Sequence, residues 1–314
     1  MLSIILAITL LVDKCMVSSC SSVGGGGELF EMTITRDPVS NAPMIDVIVN
    51  HGFHMKSLIT ISSKTKIPMM ERSEPVTIGL IHSGQTGVTD LHVATPRRSD
   101  SIASIGIGPT SAMVESFSSV LYYRDPAVGE RLVVGLPASA LRDKCAHPVS
   151  RVSLYLLADA GGEESSTIDQ ILKSVVAIED QVMSSWVTFD MVEPRPIVLS
   201  GLAARMIARK IESLGGIQYE ENIFRKCDST LLSSLPVITV SLETVSEETS
   251  SLNFNFLPRD YLQIDESNSF CRIVVSDKTD IPVIGINPFQ VAGMNFVIAE
   301  SYMSFCDLIK TTSS

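Results

Sequence analysis

Short apolar segments separated by turn residues recur along most of this 314-residue chain. In the first half they cover residues 30–35, 44–49, 57–62, 76–81, 87–93, 131–134 and 152–157. In the second half they cover residues 186–192, 197–199, 236–242, 252–257, 271–275, 283–286 and 296–299. Each segment is too short for an amphipathic helix, and many alternate apolar with polar residues, which is the period of a half-buried strand. The pattern predicts an all-β protein with many antiparallel strands, not a series of βαβ units.

Two segments depart from this pattern and are predicted to be helices. Residues 166–178 and 203–214 carry apolar residues at intervals of three and four. The second segment stops at Gly215 and Gly216, which favour the end of a helix. We therefore expect an all-β fold with a few short helices.

Composition and charge limit the kinds of partner. The chain is 45% hydrophobic and 19% charged, which is typical of a globular protein with a large core. Its formal net charge is −11 and its basic residues are scattered, so no surface that binds nucleic acid is expected.

The first 22 residues are predicted to be a secretory signal peptide. Residues 2–12, LSIILAITLLV, form an apolar run that is too short to span a bilayer, and small polar residues follow it. We expect a secreted protein that does not associate with membranes after the signal is cleaved.

The cysteine and histidine spacings indicate neither a metal site nor a cofactor. Six cysteines stand at positions 15, 20, 145, 227, 271 and 306, and none forms a Cys-x-x-Cys pair. The four or five that remain after cleavage fit one or two disulfides, and the pairing of Cys145 and Cys306 stays open. His51 and His54 have no neighbouring acid or thiol, and the adjacent His82 and Ser83 would point to opposite faces of a strand.

An ordered series of landmarks in the second half resembles a known family. The series is Cys227, then Leu235-Pro236-Val237-Ile238, then Phe256-Leu257-Pro258 with Tyr261, then Cys271, then Ile284-Gly285 and Phe289. Their order and spacing are similar to those in the C-terminal lobe of pepsin-like aspartic proteases. Residues 102–109, IASIGIGP, are similar to a turn of that family's first lobe, and the resemblance covers about residues 28–306.

The resemblance implies a two-lobed architecture. The N-terminal lobe would cover residues 28–182 and the C-terminal lobe residues 183–314. It also implies a disulfide between Cys227 and Cys271.

Catalysis in this family needs one aspartate from each lobe, because the two carboxyl groups share a proton while one of them activates water. Each aspartate lies in an Asp-Thr-Gly or Asp-Ser-Gly turn, and neither motif occurs here. The best alignments place Ile61, followed by Ser62 and Ser63, at the first aspartate, and Leu199, followed by Ser200 and Gly201, at the second. No Asp or Glu occurs between Val47 and Met70, so shifting the first alignment restores no acid.

The family's flap, a hairpin that closes over the substrate and carries a Tyr, would cover residues 78–93. That segment contains no Tyr, and Leu80 is the nearest equivalent. With Ile61, Ser62, Ser63, Leu199, Ser200 and Gly201, Leu80 is predicted to line the cleft.

The favoured interpretation is a non-catalytic, monomeric pepsin-like protein whose cleft binds a peptide or protein. Two alternatives stay open: an aspartic endopeptidase, and an enzyme inhibitor or recognition module that uses its loops.

Overall fold

The structure is a computed structural model. It describes residues 30–62, 64–68, 75–83, 87–94, 97–98, 102–125, 129–135, 150–156, 170–245, 251–265, 267, 269–276, 280–285, 295–298 and 302–306. The predicted signal peptide over residues 1–22, together with Ser63, Cys145 and Phe289, lies outside the described residues.

Strands dominate the described part of the chain. Those of the first half are β1 (Phe30–Thr33), β2 (Thr35–Arg36), β3 (Pro43–Val49), β4 (Phe53–Thr60), β5 (Lys66–Ile67), β6 (Val76–Ile81), β7 (Val88–Val93), β8 (Arg97–Arg98), β9 (Ser104–Gly106), β10 (Val120–Asp125), β11 (Gly129–Val134), β12 (Ser150–Ser153) and β13 (Tyr155–Leu156). Those of the second half are β14 (Gln170–Ile178), β15 (Gln181–Asp190), β16 (Ile197–Val198), β17 (Ile217–Glu220), β18 (Ile223–Arg225), β19 (Ile238–Glu243), β20 (Ser251–Phe256), β21 (Leu262–Asp265), β22 (Phe270–Ile273), β23 (Val283–Gly285), β24 (Asn295–Ile298) and β25 (Tyr302–Cys306). The all-β class predicted from the sequence is confirmed.

The described residues contain three very short helices and one longer helix. They are α1 (Ala112–Phe117), α2 (Gly201–Ser213), α3 (Ser229–Ser233) and α4 (Pro258–Tyr261). The predicted helix over residues 203–214 is confirmed as α2, which buries Ala203, Ala204, Ile207 and Ile211 on one face. It ends before Gly215, whose φ of +94° suits glycine.

The predicted helix over residues 166–178 is wrong where the structure describes it, because residues 170–178 form β14. From Leu172 to Val176 the chain alternates buried and exposed side chains, which is the period of a strand. Its β-branched residues favour that conformation, and β15 and β19 hydrogen-bond to its two edges. Residues 170–178 therefore form a strand because strands pair with both of their edges, although the spacing of their apolar residues also fits a helix.

Each half of the chain contributes a large sheet. The first has the order β7-β6-β3-β4-β9-β5-β8, with β2 paired to β3. The second has the order β16-β23-β15-β14-β19-β20, with β13 paired to β14. A smaller sheet, β17-β18-β22-β21, belongs to the second half.

A six-stranded antiparallel sheet joins the two halves, with the order β1-β11-β10-β24-β25-β12. Val120 of β10 pairs with Val134 of β11 on one side and with Ile298 of β24 on the other. Segments far apart in the sequence thus meet in one sheet. A continuous apolar core runs beneath the sheets and includes Phe30, Val120, Val134 and Ile298.

Candidate functional site

The same strand arrangement occurs once in each half. In the first half, β3 and β4 form a hairpin, β4 runs parallel to β9, and β9 pairs antiparallel with β5, the strand that follows β4. In the second half, β14 and β15 form the hairpin, β15 runs parallel to β23, and β23 pairs antiparallel with β16. We call these two units the first and second repeat. In each, a loop leaves the hairpin and passes around the end of the parallel strand.

A glycine allows that loop to pass close to the parallel strand in both repeats. A Cβ atom at Gly106 would lie 2.4 Å from the carbonyl oxygen of Ser62, and one at Gly285 would lie 2.2 Å from that of Arg195. Both distances are too short for any side chain, so each position requires glycine. Ile105-Gly106 and Ile284-Gly285 are therefore equivalent positions of the two repeats.

The strand registers define the other equivalent residues. Thr60 pairs with Gly106, and Asp190 pairs with Gly285. Thr60 and Asp190 are thus counterparts, and the next residues, Ile61 and Met191, are the next counterparts. The second repeat carries a carboxylate where the first carries a hydroxyl.

Backbone hydrogen bonds hold the first loop. The carbonyl oxygen of Thr60 accepts the N–H of Ile107 at 2.9 Å, and that of Ser62 accepts the N–H of Gly108 at 2.9 Å. The Ser62 hydroxyl accepts the N–H of Lys64 at 3.0 Å. Ile61 and Ser62 are both buried. Hydrogen bonds therefore hold the described residues of this loop, 60–62 and 64, and none of them is a carboxylate.

The second loop is acidic. Asp190 is half-buried, and its Oδ1 accepts the N–H of Val192 at 2.8 Å. Glu193 forms an ion pair with Arg195 at 2.6 Å, and the N–H of Gly285 donates to the carbonyl oxygen of Pro196 at 3.1 Å. Asp190 is therefore oriented by the turn that follows it, as a carboxylate in a preorganised site would be.

Leu199 lies elsewhere in the second repeat. Lys66 and Val198 face the equivalent residues Ser104 and Val283, so the residues after them, Ile67 and Leu199, are counterparts. Leu199 is fully buried, and its N–H donates to the carbonyl oxygen of Val274 at 2.9 Å. Placing the second aspartate position at Leu199 stays a prediction, and the registers favour Asp190 or Met191 instead.

The other predicted cleft residues are mostly interior. Leu80 is fully buried in β6, and Ser200 is buried at the start of α2. Gly201 is partly exposed, and its N–H donates to Oδ1 of Asp280 at 3.1 Å. Ser200, Leu202 and Asp280 help to line a recess of about 110 Å3. Whether these residues line a ligand cleft stays a prediction.

Several landmarks of the second half contact one another. The predicted disulfide between Cys227 and Cys271 is confirmed, with the two Cα atoms 5.7 Å apart. The Tyr261 hydroxyl donates to the carbonyl oxygen of Pro236 at 2.8 Å, and burial raises the pKa of this phenol. Val274 donates to the carbonyl oxygen of Tyr261 at 3.0 Å. The landmarks thus form one connected unit, which contacts α2 through β22 and β16 through α4.

Two searches of the described residues bear on metals and membranes. No cluster of three or more His, Cys, Asp or Glu side chains is arranged there to hold a metal ion. Within the same ranges, no helix combines the length and the apolar character needed to cross a bilayer.

Comparison of the sequence with models of known families and with curated proteins finds no match.

Sequence reasoning missed Asp190, although two signals pointed to it. Asp190 is the acid that ends the apolar segment Val187-Thr188-Phe189. The Ile-Gly pair at 105–106 recurs at 284–285, which would have aligned the two repeats. Without the strand registers, Ser200-Gly201 was the more conspicuous match to the Asp-Ser-Gly turn.

Proposed function

We propose that this chain is a two-lobed, pepsin-like protein that binds an extended polypeptide and does not cleave it. The repeated unit supports the proposal, because each lobe of that family carries its site residue on a loop that passes around a parallel strand. The six-stranded sheet that joins the halves supports it as well. The predicted boundary between the lobes 28–182 and 183–314 falls within β15, and a boundary before β14 would give each lobe one repeat.

The observation that carries the proposal is that Thr60 and Asp190 occupy equivalent positions of the two repeats. Hydrolysis by this mechanism needs two neighbouring carboxyl groups, one protonated and one ionised. The first repeat offers Thr60 or Ile61, and no acid lies between Val47 and Met70. A single carboxylate cannot serve as both acid and base in one step, so water is not activated in this way.

A lone carboxylate and a hydroxyl still suit binding. The Asp190 carboxylate accepts hydrogen bonds from peptide N–H groups, and the Thr60 hydroxyl, which donates to the carbonyl oxygen of Ile105 at 3.5 Å, still accepts one. With one acid instead of two, the site also avoids the repulsion between neighbouring carboxylates. These properties favour retention of a peptide over its cleavage.

The first test is a proteolysis assay. Purified mature protein is incubated with denatured haemoglobin at acid pH, with and without pepstatin. We expect no cleavage above that of the Asp190→Asn variant. Pepstatin-sensitive cleavage that disappears in D190N would overturn the proposal and establish an aspartic endopeptidase.

The second test measures binding. Fluorescein-labelled haemoglobin peptides are titrated with the protein, and anisotropy reports the dissociation constant. Loss of one charged hydrogen bond in D190N should weaken binding by about tenfold, since a factor of ten corresponds to about 1.4 kcal/mol. Leu232→Ala, a partly buried change in α3, serves as the matched control and should leave the affinity unchanged. The absence of binding by the unaltered protein would refute the binding role.

The endopeptidase alternative has one observation in its favour, the retained Asp190. It requires a second carboxylate supplied from outside residues 48–69, and the proteolysis assay decides between the two functions.

A further inference from the structure

One face of the second-half sheet is open to solvent across four neighbouring strands. Alternate residues of β14, β15, β19 and β20 point into the core, and the residues between them form the other face. We call this other face, together with Tyr155 of β13, the outer face. Its residues are Tyr155, Lys173, Val175, Ala177, Val182, Ser184, Trp186, Thr239, Ser241, Glu243, Ser251, Asn253 and Asn255.

The outer face carries no net charge. Its charged residues are Lys173 and Glu243, which form an ion pair at 2.6 Å. The remaining residues bring hydroxyl, amide, aliphatic and aromatic groups. The whole chain, by contrast, has a formal charge of −11.

Two aromatic side chains lie together on the outer face. The rings of Tyr155 and Trp186 are 5.3 Å apart between centroids and meet edge to face. Their exposed fractions are 45% and 40%, and Trp186 is the single tryptophan of the chain. Large aromatic side chains are usually buried further than this, and exposed ones are enriched where proteins bind ligands.

Polar groups follow the aromatic pair along the sheet. Asn253 and Asn255 are exposed on β20, and Ser241 lies on β19 beside them. The Thr239 hydroxyl is hydrogen-bonded to Oδ1 of Asn255 at 2.9 Å, a bond that does not use the amide N–H donors of Asn255. The strands lie about 4.8 Å apart, and successive outward residues about 7 Å apart, so donors and acceptors are regularly spaced across the face.

We propose that the outer face binds an extended, neutral oligosaccharide, with one sugar ring against Trp186 and Tyr155 and the hydroxyls of rings farther along the oligosaccharide bonded to Ser241, Asn253 and Asn255, two and three strands away. A pyranose ring has apolar C–H faces that pack on aromatic rings, and its edge is lined with hydroxyls that pair with amides. Exposed aromatic rings and amide side chains are both present on the outer face.

Other partners fit the outer face less well. A nucleic acid or an anionic membrane needs a cluster of cations, whereas the single lysine here is already paired. An apolar helix needs a continuous apolar strip, whereas Ser184 lies between Val182 and Trp186 on the same row of β15. A neutral, hydroxyl-rich chain matches the neutrality of the face and its amides.

The experiment uses Trp186 as its own reporter. Cellohexaose and chitohexaose are added to the purified mature protein, and the emission of its single tryptophan is followed. We expect saturable quenching or a blue shift with at least one of the two hexaoses. Polygalacturonate hexamer, the anionic probe, should give at least tenfold weaker binding.

Variants separate the outer face from the rest of the surface. In calorimetric titrations, Trp186→Ala and Asn253→Ala should each weaken hexaose binding by about tenfold or more. Phe53→Ala removes an aromatic side chain that is 56% exposed on the first-half sheet, and it should leave binding unchanged. Because Asn253 is exposed, N253A keeps the test valid even if W186A fails to fold.

Three results would overturn the proposal. They are the absence of binding to both neutral hexaoses, equal affinity for polygalacturonate, and binding that survives both W186A and N253A. Tryptophan quenching by haemoglobin peptides that is equally strong in D190N, in place of quenching by sugars, would assign the face to a polypeptide. None of these results depends on Asp190, so the proposed function stands or falls separately.

Discussion

At the scale of single residues, Glu130 of β11 is a buried acid held by two side chains. The guanidinium of Arg36 donates from Nε at 2.9 Å and from Nη2 at 2.8 Å to its Oε2, and the Tyr122 hydroxyl donates at 2.8 Å. Arg36 belongs to the first-half sheet, and Tyr122 and Glu130 belong to the six-stranded sheet. The network therefore connects two sheets through a charge that is kept from water.

Removing this acid should destabilise the protein strongly. Glu130→Ala removes a mostly buried ion pair with Arg36 and the acceptor of the Tyr122 hydroxyl, so the free energy of unfolding should fall by about 3 kcal/mol. Urea unfolding measures the change. The matched control is Glu243→Ala, which breaks the exposed pair with Lys173 and should change stability little. Equal effects of the two variants would contradict the structural role of Glu130.

The two glycines of the repeats give a second test at this scale. Gly106→Ala and Gly285→Ala push a Cβ atom against backbone carbonyl oxygens, which cannot move aside like a side chain. Each should lower the free energy of unfolding by about 3 kcal/mol, the upper range for overpacking. Thermal unfolding followed by circular dichroism checks this.

Gly52→Ala is the control for the glycine variants, because the nearest atom to its Cβ, the carbonyl oxygen of Asn50, lies 3.8 Å away. If G106A or G285A melts at the temperature of G52A, the close passage of the loops is not as described.

At the scale of elements, the sequence predicted strands better than it separated strands from helices. The helix over residues 203–214 was recognised because its apolar stripe stands alone and ends at Gly215. Residues 170–178 satisfied a similar spacing, yet β15 and β19 occupy both edges of that segment. Such pairing is a tertiary effect that no local window contains.

Ser200 determines how α2 begins. Its hydroxyl accepts the N–H of Ala203 at 3.4 Å, which satisfies one of the helix's unpaired donors. Ser200→Ala should lower the free energy of unfolding by about 1 kcal/mol, as is usual for a lost N-cap. Urea unfolding of S200A beside Ser200→Thr, which keeps a hydroxyl, tests this. A loss of the same size in both variants would show that packing, not capping, matters at Ser200.

At the scale of the whole molecule, Gln170 is one of the places where the second half packs against the first. Its buried amide lies beside Gly108, where a Cβ atom would be 1.9 Å from Nε2. Neither Nε2 nor Oε1 has a hydrogen-bond partner in the described part of the chain. The sequence did not predict this contact, because 61 intervening residues separate a loop glycine from a strand glutamine.

A double-mutant cycle tests that contact. Gly108→Ala alone should destabilise the protein by about 2 kcal/mol, because the new methyl group meets the Gln170 amide. Gln170→Ala makes room, so the double variant should recover at least about 1 kcal/mol of that loss. Gln170→Met removes two unpaired polar atoms and should not lower stability. Additive losses in the cycle would show that the two residues do not touch.

The six-stranded sheet also has a consequence for how the protein is made. A ribosome delivers β10 and β11 early, whereas β24 and β25 emerge only after most of the chain has been synthesised. Until then one edge of β10 has no neighbouring strand, and Val120 lacks its partner Ile298. An open strand edge is a template for wrong partners, so we expect the nascent chain to depend on chaperones during that interval.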